Sequence, residues 1–268
     1  MLLMPERHEP MADYAVKNRS YWDSLTSDAG EYGEQVLYGR RQWSAAPNWG
    51  DWSVPESDLG VLPPGLHDAV SIELGCGTAY ISAWLKRMGA RPLAVDVSSR
   101  QLTIARGLQS EFQLSFPLIQ ADAERVPCAD GSFDLVISEY GASSWSRPEI
   151  WVKEASRLLR PGGRLIFLTT SPILALCVPN DGGPAARNLV RDYFGLNRLE
   201  RPEGTTHFER PYGRWIELLR QHHFDIERLI EIQPPEGSHS PWPDVGLDWA
   251  RRWPSECIWD VRKTDSLI

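Results

Sequence analysis

Val70-Ser71-Ile72-Glu73-Leu74-Gly75-Cys76-Gly77-Thr78-Ala79-Tyr80-Ile81-Ser82-Ala83-Trp84-Leu85-Lys86-Arg87-Met88 is the stretch whose reading decides the fold. Val70, Ile72 and Leu74 alternate as the apolar residues of a short strand do, and Ala79 to Met88 carries apolar residues at helical spacing. Between them, Gly75 allows a sharp turn, and Gly77 lets a ligand approach closer than a Cβ would permit. A strand that ends in a glycine turn and feeds a helix is the opening of a βα unit. In open α/β sheets, ligands bind beside such a turn, at the carboxyl ends of the strands.

The same alternation continues outward. Pro92 to Val97 reads as a strand, and Ser98 and Ser99 offer N-caps for a helix through Leu108. Leu118 to Gln120 and Phe133 to Ser138 are further strands. Pro148 to Arg160 reads as a helix stopped by Pro161-Gly162-Gly163, and Arg164 to Thr169 as the next strand. Strands that are apolar almost throughout and alternate with helices make a parallel sheet covered on both faces. Right-handed crossovers then favour a doubly wound α/β arrangement. Past Thr170 the pattern predicts a helix over Leu189–Leu196, a short strand at Thr206–Glu209, a helix over Tyr212–His222, and strands at Phe224–Ile232 and Cys257–Val261. Residues 1–64 read as an N-terminal cap segment and 65–268 as the main domain, the two forming one structural unit.

Composition narrows the function classes. The chain has 268 residues, 42% hydrophobic and 24% charged, an ordinary globular balance. Its net charge of −8 comes without a run of like charges, and clustered Lys and Arg are missing, so a nucleic-acid partner is not expected. No stretch of about 20 apolar residues is present to span a membrane. Met1 to Pro10 lacks the apolar core of a signal peptide. The four cysteines are scattered and form no CxxC pair, which argues against zinc and disulfides and fits a reducing cytoplasm.

Two acidic positions give the glycine loop its chemistry. Asp96 ends the second strand, where a carboxylate can accept hydrogen bonds from both ribose hydroxyls; alone it could equally be a helix N-cap. Asp122, in Ala121-Asp122-Ala123-Glu124 after the third strand, can accept from the exocyclic amine of a base; alone it could be a solvated turn.

Taken together, Glu73-Leu74-Gly75-Cys76-Gly77-Thr78, Asp96, Asp122-Ala123-Glu124, Phe133-Asp134-Leu135-Val136 and Leu159-Arg160-Pro161-Gly162-Gly163 resemble the ordered motifs of class I S-adenosylmethionine-dependent methyltransferases, in particular the type 11 branch. The resemblance runs from Val70 to Thr170. It implies a Rossmann-like doubly wound, mainly parallel seven-stranded sheet with an N-terminal helical cap, and S-adenosyl-L-methionine as cofactor with S-adenosyl-L-homocysteine as product. Glu73 would orient the loop and meet the methionine part, Gly75 and Gly77 would pass beneath it, and Cys76 would fill the loop between them. Asp96 would hold the ribose, with Val97 flanking the adenine and Gln101 assisting in the first turn of the next helix. Asp122 would bind the adenine amine, with Ala123 and Glu124 lining the base. Ser138 and Glu139 would approach the amino group and sulfonium. Asn18-Arg19-Ser20-Tyr21-Trp22-Asp23 is similar to an opening segment of the same branch, which makes Tyr21 and Trp22 cofactor contacts in the cap. The family's usual third glycine is Ala79 here, a methyl group that a helix start should accommodate.

Methyl transfer from a sulfonium is an in-line displacement that needs alignment and no covalent intermediate. A general base can assist with a hydroxyl, acid or amine acceptor, and Glu139, Tyr140 and His207 are the candidates, with His222 and His223 read as structural residues at a helix end. The acceptor is expected to be a small molecule, and Trp22, Trp43, Trp49, Trp52 and Trp145 serve either a flat pocket or the packing of the cap. Trp242, Trp249, Trp253 and Trp259 read as holding the tail down. Two other classes stay open: a nucleotide-linked oxidoreductase, opposed by Tyr80 where a dinucleotide fingerprint needs glycine, and a non-catalytic protein that only binds the cofactor.

Overall fold

The apolar runs pair as their composition requires. The computed structural model describes residues 11–25, 29–240 and 245–264, so Met1–Pro10 and Trp242 lie outside the described residues. One seven-stranded sheet is built from β1 (Val70–Leu74), β2 (Arg91–Asp96), β3 (Leu118–Gln120), β4 (Phe133–Glu139), β5 (Leu159–Thr170), β6 (Phe224–Glu231) and β7 (Glu256–Lys263). Their order is β6-β7-β5-β4-β1-β2-β3. Pairing is parallel except at β7, which runs antiparallel to both neighbours. The carboxyl ends of β1 to β5 therefore share one edge, with Leu74 and Asp96 on adjacent strands and Glu139 on the other side of β1.

Side-chain alternation divides the core in two. Val136, Leu165 and Phe167 face α5 (Pro148–Leu158) and α6 (Tyr212–Gln221), packing against Trp151 and Trp215. Leu135, Ile137, Ile166 and Leu168 face the opposite side, with Ile81 and Trp84 of α3 (Tyr80–Arg87) and with Trp49 and Trp52. Helix α4 (Ser99–Glu111) starts at Ser98, whose hydroxyl accepts from the Gln101 N–H at 3.1 Å.

The cap consists of α1 (Asp13–Ser24), α2 (Ala29–Ser44) and a two-stranded ribbon, Asn48–Trp49 with Val54–Pro55. Its tryptophans are mostly packing residues. Trp43 donates to the Thr78 carbonyl at 2.8 Å and Trp52 to Ser255 Oγ at 2.9 Å, both from fully or almost fully buried positions.

Several boundaries differ from expectation. Helix α5 ends at Leu158, and β5 runs through Pro161-Gly162-Gly163. A proline pushes its predecessor toward extended backbone, and Gly162 at φ +76° absorbs the kink while the pairing jumps from Phe133–Leu159 to Leu135–Arg164. The helix expected over Leu189–Leu196 is irregular chain with one 3₁₀ turn, Tyr193–Gly195. Leu189, Val190 and Phe194 are exposed there, and Leu196 and Tyr193 alone pack, on Ala175 and Leu176, which is little buried surface to hold a helix. Thr206–Phe208 is a strand as expected, but its partner Arg198–Glu200 was not foreseen. Ala79 takes φ +59°, a left-handed conformation that costs about 1–2 kcal/mol outside glycine; burying its methyl completely offsets part of that, at about 0.8 kcal/mol per group.

Candidate active site

The glycine loop is fixed from two sides. Glu73, 3% exposed, accepts from the N–H and hydroxyl of Ser82 at 2.9 and 2.5 Å, so its carboxyl braces the first turn of α3. Burial pushes that carboxyl up to about 8. Asp96 accepts from the Gly77 N–H and the Ser98 N–H, both at 2.8 Å, tying the loop to the end of β2. Burial raises it to about 6, against the pull of those two N–H groups. Each oxygen keeps a lone pair for a further donor.

The two loop glycines have different jobs. Gly75, at φ +72°, was expected beneath the cofactor, but a Cβ there would lie 2.6 Å from Gly141 Cα and 2.7 Å from Ala142 N. It is glycine because the chain after β4 crosses it. Gly77, at φ +51°, is open in its Cβ direction, where the nearest atom is Gln101 Oε1 at 3.7 Å. Gln101 is 2% exposed, and its Nε2 has no hydrogen-bond partner. A buried donor left unpaired costs about 1–3 kcal/mol, so an unpaired amide beside open backbone fits a ligand that completes it. Cys76 is buried, its thiol pushed well above the ordinary range by burial, and it has no reactive role. Val97 is half-buried, its carbonyl accepting from Gln120 Nε2 at 3.1 Å.

Beyond β3, Asp122 accepts from the Glu124 N–H at 2.9 Å and is raised by burial; Ala123 is buried next to it. Glu124 departs from its expected place beside a base. Its carboxylate takes the Tyr14 hydroxyl, the Arg147 N–H at 2.7 Å and the Arg147 guanidinium at 3.0 Å, so it anchors the cap. Ser138 donates to the Leu74 carbonyl at 2.8 Å and accepts from the Ser143 N–H, bracing the loop after β4.

Helix α1 roofs this edge. Tyr14, Asn18, Tyr21 and Trp22 fall on one face at helical spacing. Asn18, buried and not foreseen, donates to the Thr206 carbonyl at 2.9 Å and the Trp145 carbonyl at 3.3 Å, and accepts from the Thr206 N–H at 2.8 Å. Tyr21 and Trp22 pack on Trp145, with ring centroids 6.3 and 5.1 Å away. His207 lies on the same indole at 4.2 Å. Its Nε2 is buried without a partner, and burial lowers the imidazole to about 3. His207 is thus neutral at physiological pH, a hydrogen-bonding group and a weaker base than a free imidazole. A groove of about 540 Å³ lies against the start of α1, lined by Tyr14, Arg147, Glu149, Asn197, Arg198 and Phe208.

The other two base candidates sit elsewhere. Glu139 Oε1 accepts from the Gly50 N–H at 2.7 Å, and burial raises the carboxyl to about 8, so it holds a proton at neutral pH. Tyr140, at φ +48°, donates its hydroxyl to Glu256 Oε1 at 2.7 Å, and burial beside carboxylates pushes the phenol far above its ordinary value. Both hold their protons more tightly than the free groups do. Glu256 and Gly50 were missed because isolated residues on a late strand and a ribbon turn carry no motif, and Asn18, although it opens the quoted N-terminal segment, was passed over for the aromatic pair. His222 and His223 end α6 and the turn after it, as expected of structural residues.

Among the described residues no His, Cys, Asp and Glu group is placed to hold a metal ion, and no helix is long and apolar enough to cross a membrane. Residues 72–167 match the family model described as "Methyltransferase domain". The chain is 32% identical over 179 residues to the uncharacterized protein YafE of Escherichia coli, covering 63% of this chain and 79% of that one. It is 28% identical to the uncharacterized methyltransferase YodH of Bacillus subtilis, covering 67% and 70%. A crystal structure of an S-adenosylmethionine-dependent methyltransferase from Mesorhizobium loti superposes with a TM-score of 0.65 at 22% identity, over 77% of this chain and 96% of that one.

Proposed function

Because this chain belongs to the class I S-adenosylmethionine-dependent methyltransferases, we propose that its methyl acceptor is a small molecule seated beneath helix α1. The family excludes the oxidoreductase reading. The observation that carries the proposal is the roof. Tyr14 on Glu124, Asn18 on Thr206 and Trp145, and Asp23 accepting from Ser98 Oγ at 2.6 Å fasten α1 across the ends of several strands. Against the start of that helix lies a groove of about 540 Å³, lined by Tyr14, Arg147, Arg198 and Phe208, a volume within the range of small-molecule sites and too small for a folded macromolecule.

The bound cofactor supplies an electrophilic methyl group on a good leaving group. Gly77 and the unpaired Gln101 amide form its seat, Asp96 accepts from ribose hydroxyls, and Asp122 accepts from the adenine amine with Val97 and Ala123 at the ring. Glu73 and Ser138 hold the loop around the methionine part. Tyr21, Trp22 and Trp145 exclude water from the acceptor side, and neutral His207 offers its unpaired Nε2 to a polar group of the acceptor. On this reading residues 1–64 and 65–268 act as one unit.

The test is a transfer assay with tritium-labelled methyl donor on fractionated bacterial extract. Label is expected in the small-molecule fraction and is expected to fall with His207→Phe. Label confined to RNA or protein would refute the small acceptor.

A further inference from the structure

The hairpin Arg198–Glu200 with Thr206–Phe208 turns one face toward the sheet edge, and packing does not account for the residues on it. Residues directly opposite in an antiparallel pair share a face, and every second residue along a strand returns to it. Leu199 is opposite His207. The ladder extends both ways, with the Arg201 N–H on the Thr205 carbonyl at 2.8 Å and the Glu209 N–H on the Asn197 carbonyl at 2.7 Å. Arg201, Thr205, His207 and Glu209 therefore lie on one face, while Phe208 packs on Tyr14 from the other. The first face looks onto the ends of β4 and β5, where His207 lies on Trp145 and Glu209 takes a hydrogen bond from Thr170.

The charges on this face do not balance. Arg191 and Arg201 are close enough to repel each other, both act on Glu209, and Arg201 also acts on His207. Arg191 spends its guanidinium on the Ala175 and Val178 carbonyls at 2.5 and 2.6 Å and on Asn180 Oδ1 at 2.7 Å. Arg201 is half-buried, and its guanidinium makes no hydrogen bond or ion pair among the described residues. Glu203, in the hairpin turn, binds the Thr205 hydroxyl at 2.7 Å instead. Glu209 is 3% exposed and raised by burial to about 8, so at neutral pH it holds a proton and leaves the arginines without a counter-ion. Solvation by water accounts for Arg201 alone; it leaves unexplained the buried His207 Nε2 on the same face, which has no partner.

A guanidinium without a counter-ion and a buried imidazole N–H on one face are the donors that recognise a carboxylate. We propose that Arg201 and His207 bind a carboxylate of the methyl acceptor, which makes the substrate class a small organic acid. The inference rests on the seat of the acceptor beneath α1. The Arg201 fork takes both carboxylate oxygens, and His207, in the tautomer with its proton on Nε2, donates to one of them. Oxygens held in this way are poor nucleophiles, so the carboxylate anchors the acceptor and the methyl goes to another of its atoms.

Calorimetry on the full chain, with and without S-adenosylhomocysteine, compares benzoate with its neutral isostere benzamide. Wild type should bind benzoate in the millimolar range and benzamide at least about tenfold more weakly. Arg201→Gln should melt like wild type, since the guanidinium holds no other group, and should bind benzoate about tenfold more weakly with benzamide unchanged within about twofold. His207→Phe should weaken benzoate by about threefold or more. Wild type that ignores benzoate or binds both probes equally overturns the subsite, as does Arg201→Gln that binds benzoate like wild type. Inorganic phosphate that binds more tightly than benzoate overturns the carboxylate in favour of a phosphate ester. In the tritium assay, the labelled product should be retained on an anion exchanger at neutral pH and keep its label in alkali; an alkali-labile methyl ester overturns the anchoring role. Label confined to RNA or protein refutes the small acceptor instead, and the benzoate titration then decides by itself whether this face holds a carboxylate.

Discussion

Replacing Asn18 by alanine should detach the roof of the site without dismantling the sheet. The amide makes three buried or part-buried hydrogen bonds, two to Thr206 backbone at 2.9 and 2.8 Å and one to the Trp145 carbonyl at 3.3 Å. The Thr206 bonds matter most, since Thr206 is completely buried and its strand pairs with Arg198–Glu200 through other atoms. Each backbone group left unpaired costs about 1–3 kcal/mol, so the change should cost about 2–5 kcal/mol in attachment of α1. Because the core clusters on both faces of the sheet are untouched, the loss should appear as local opening. Hydrogen exchange at the Thr206 amide should accelerate by about thirtyfold or more, and α1 should become sensitive to proteolysis while the far-ultraviolet spectrum stays unchanged. Asn18→Asp should be at least as damaging, since it places carboxylate oxygens against two carbonyls. Thr206 exchange within about twofold of wild type in Asn18→Ala would refute the latch.

Other perturbations separate the parts of the site. Gly75→Ala drives a Cβ to 2.6 Å from Gly141 and should destabilise the protein by more than about 2 kcal/mol in urea denaturation; a neutral result would mean the Gly141 crossing is wrong. Gln101→Leu removes an unpaired donor, so the ligand-free protein should melt no lower than wild type while S-adenosylhomocysteine binds about tenfold more weakly; unchanged binding would remove Gln101 from the seat. Stability should fall as pH rises from about 6.5 to 8. Glu73, Glu139 and Glu209 have folded values raised by burial to about 8, so the folded state keeps protons that the unfolded chain has already released. His207, lowered to about 3, acts in the opposite direction, mainly below the ordinary histidine value of about 6.5, so it offsets only the lower edge of that window. Each carboxyl contributes at most about 1.4 kcal/mol per pH unit, and a melting temperature that rises between pH 6.5 and 8 would contradict the burial of these groups.

Local periodicity was enough to read the strands up to Thr170, because each apolar run is bounded by glycine, proline or a cap. The later parts depend on partners distant in sequence. Arg198–Glu200 has little apolar content and is a strand only because Thr206–Phe208 lies beside it. Leu189–Leu196 has helical spacing, yet only Tyr193 and Leu196 of its apolar residues pack on the core, while Leu189, Val190 and Phe194 stay exposed. In the site, Asp96 and Glu73 were legible through their position at strand ends. The identity of their partners was not, since Ser82, Ser98 and Gly77 are common residues whose N–H groups are aimed by the backbone. The base candidates chosen by residue type share a property that the sequence did not show. Glu139, Tyr140 and His207 are half-buried with their polar ends drawn away from water, and that desolvation disfavours the charged form of each. The roles of Glu124 and Glu256 required long-range contacts, to Tyr14 and Arg147 and to the Gly50–Asp51 turn.

The cofactor seat is tested most directly by calorimetric titration of wild type and Gly77→Val with S-adenosylhomocysteine. Gly60→Val serves as the control for backbone strain: Gly60 has a similar φ of +58° but no neighbour within 4 Å. Wild type and Gly60→Val should bind at micromolar concentration or tighter, and Gly77→Val should lose about a hundredfold or more, because a side chain would fill the open face beside Gln101. Equal affinity in all three proteins would contradict the seat.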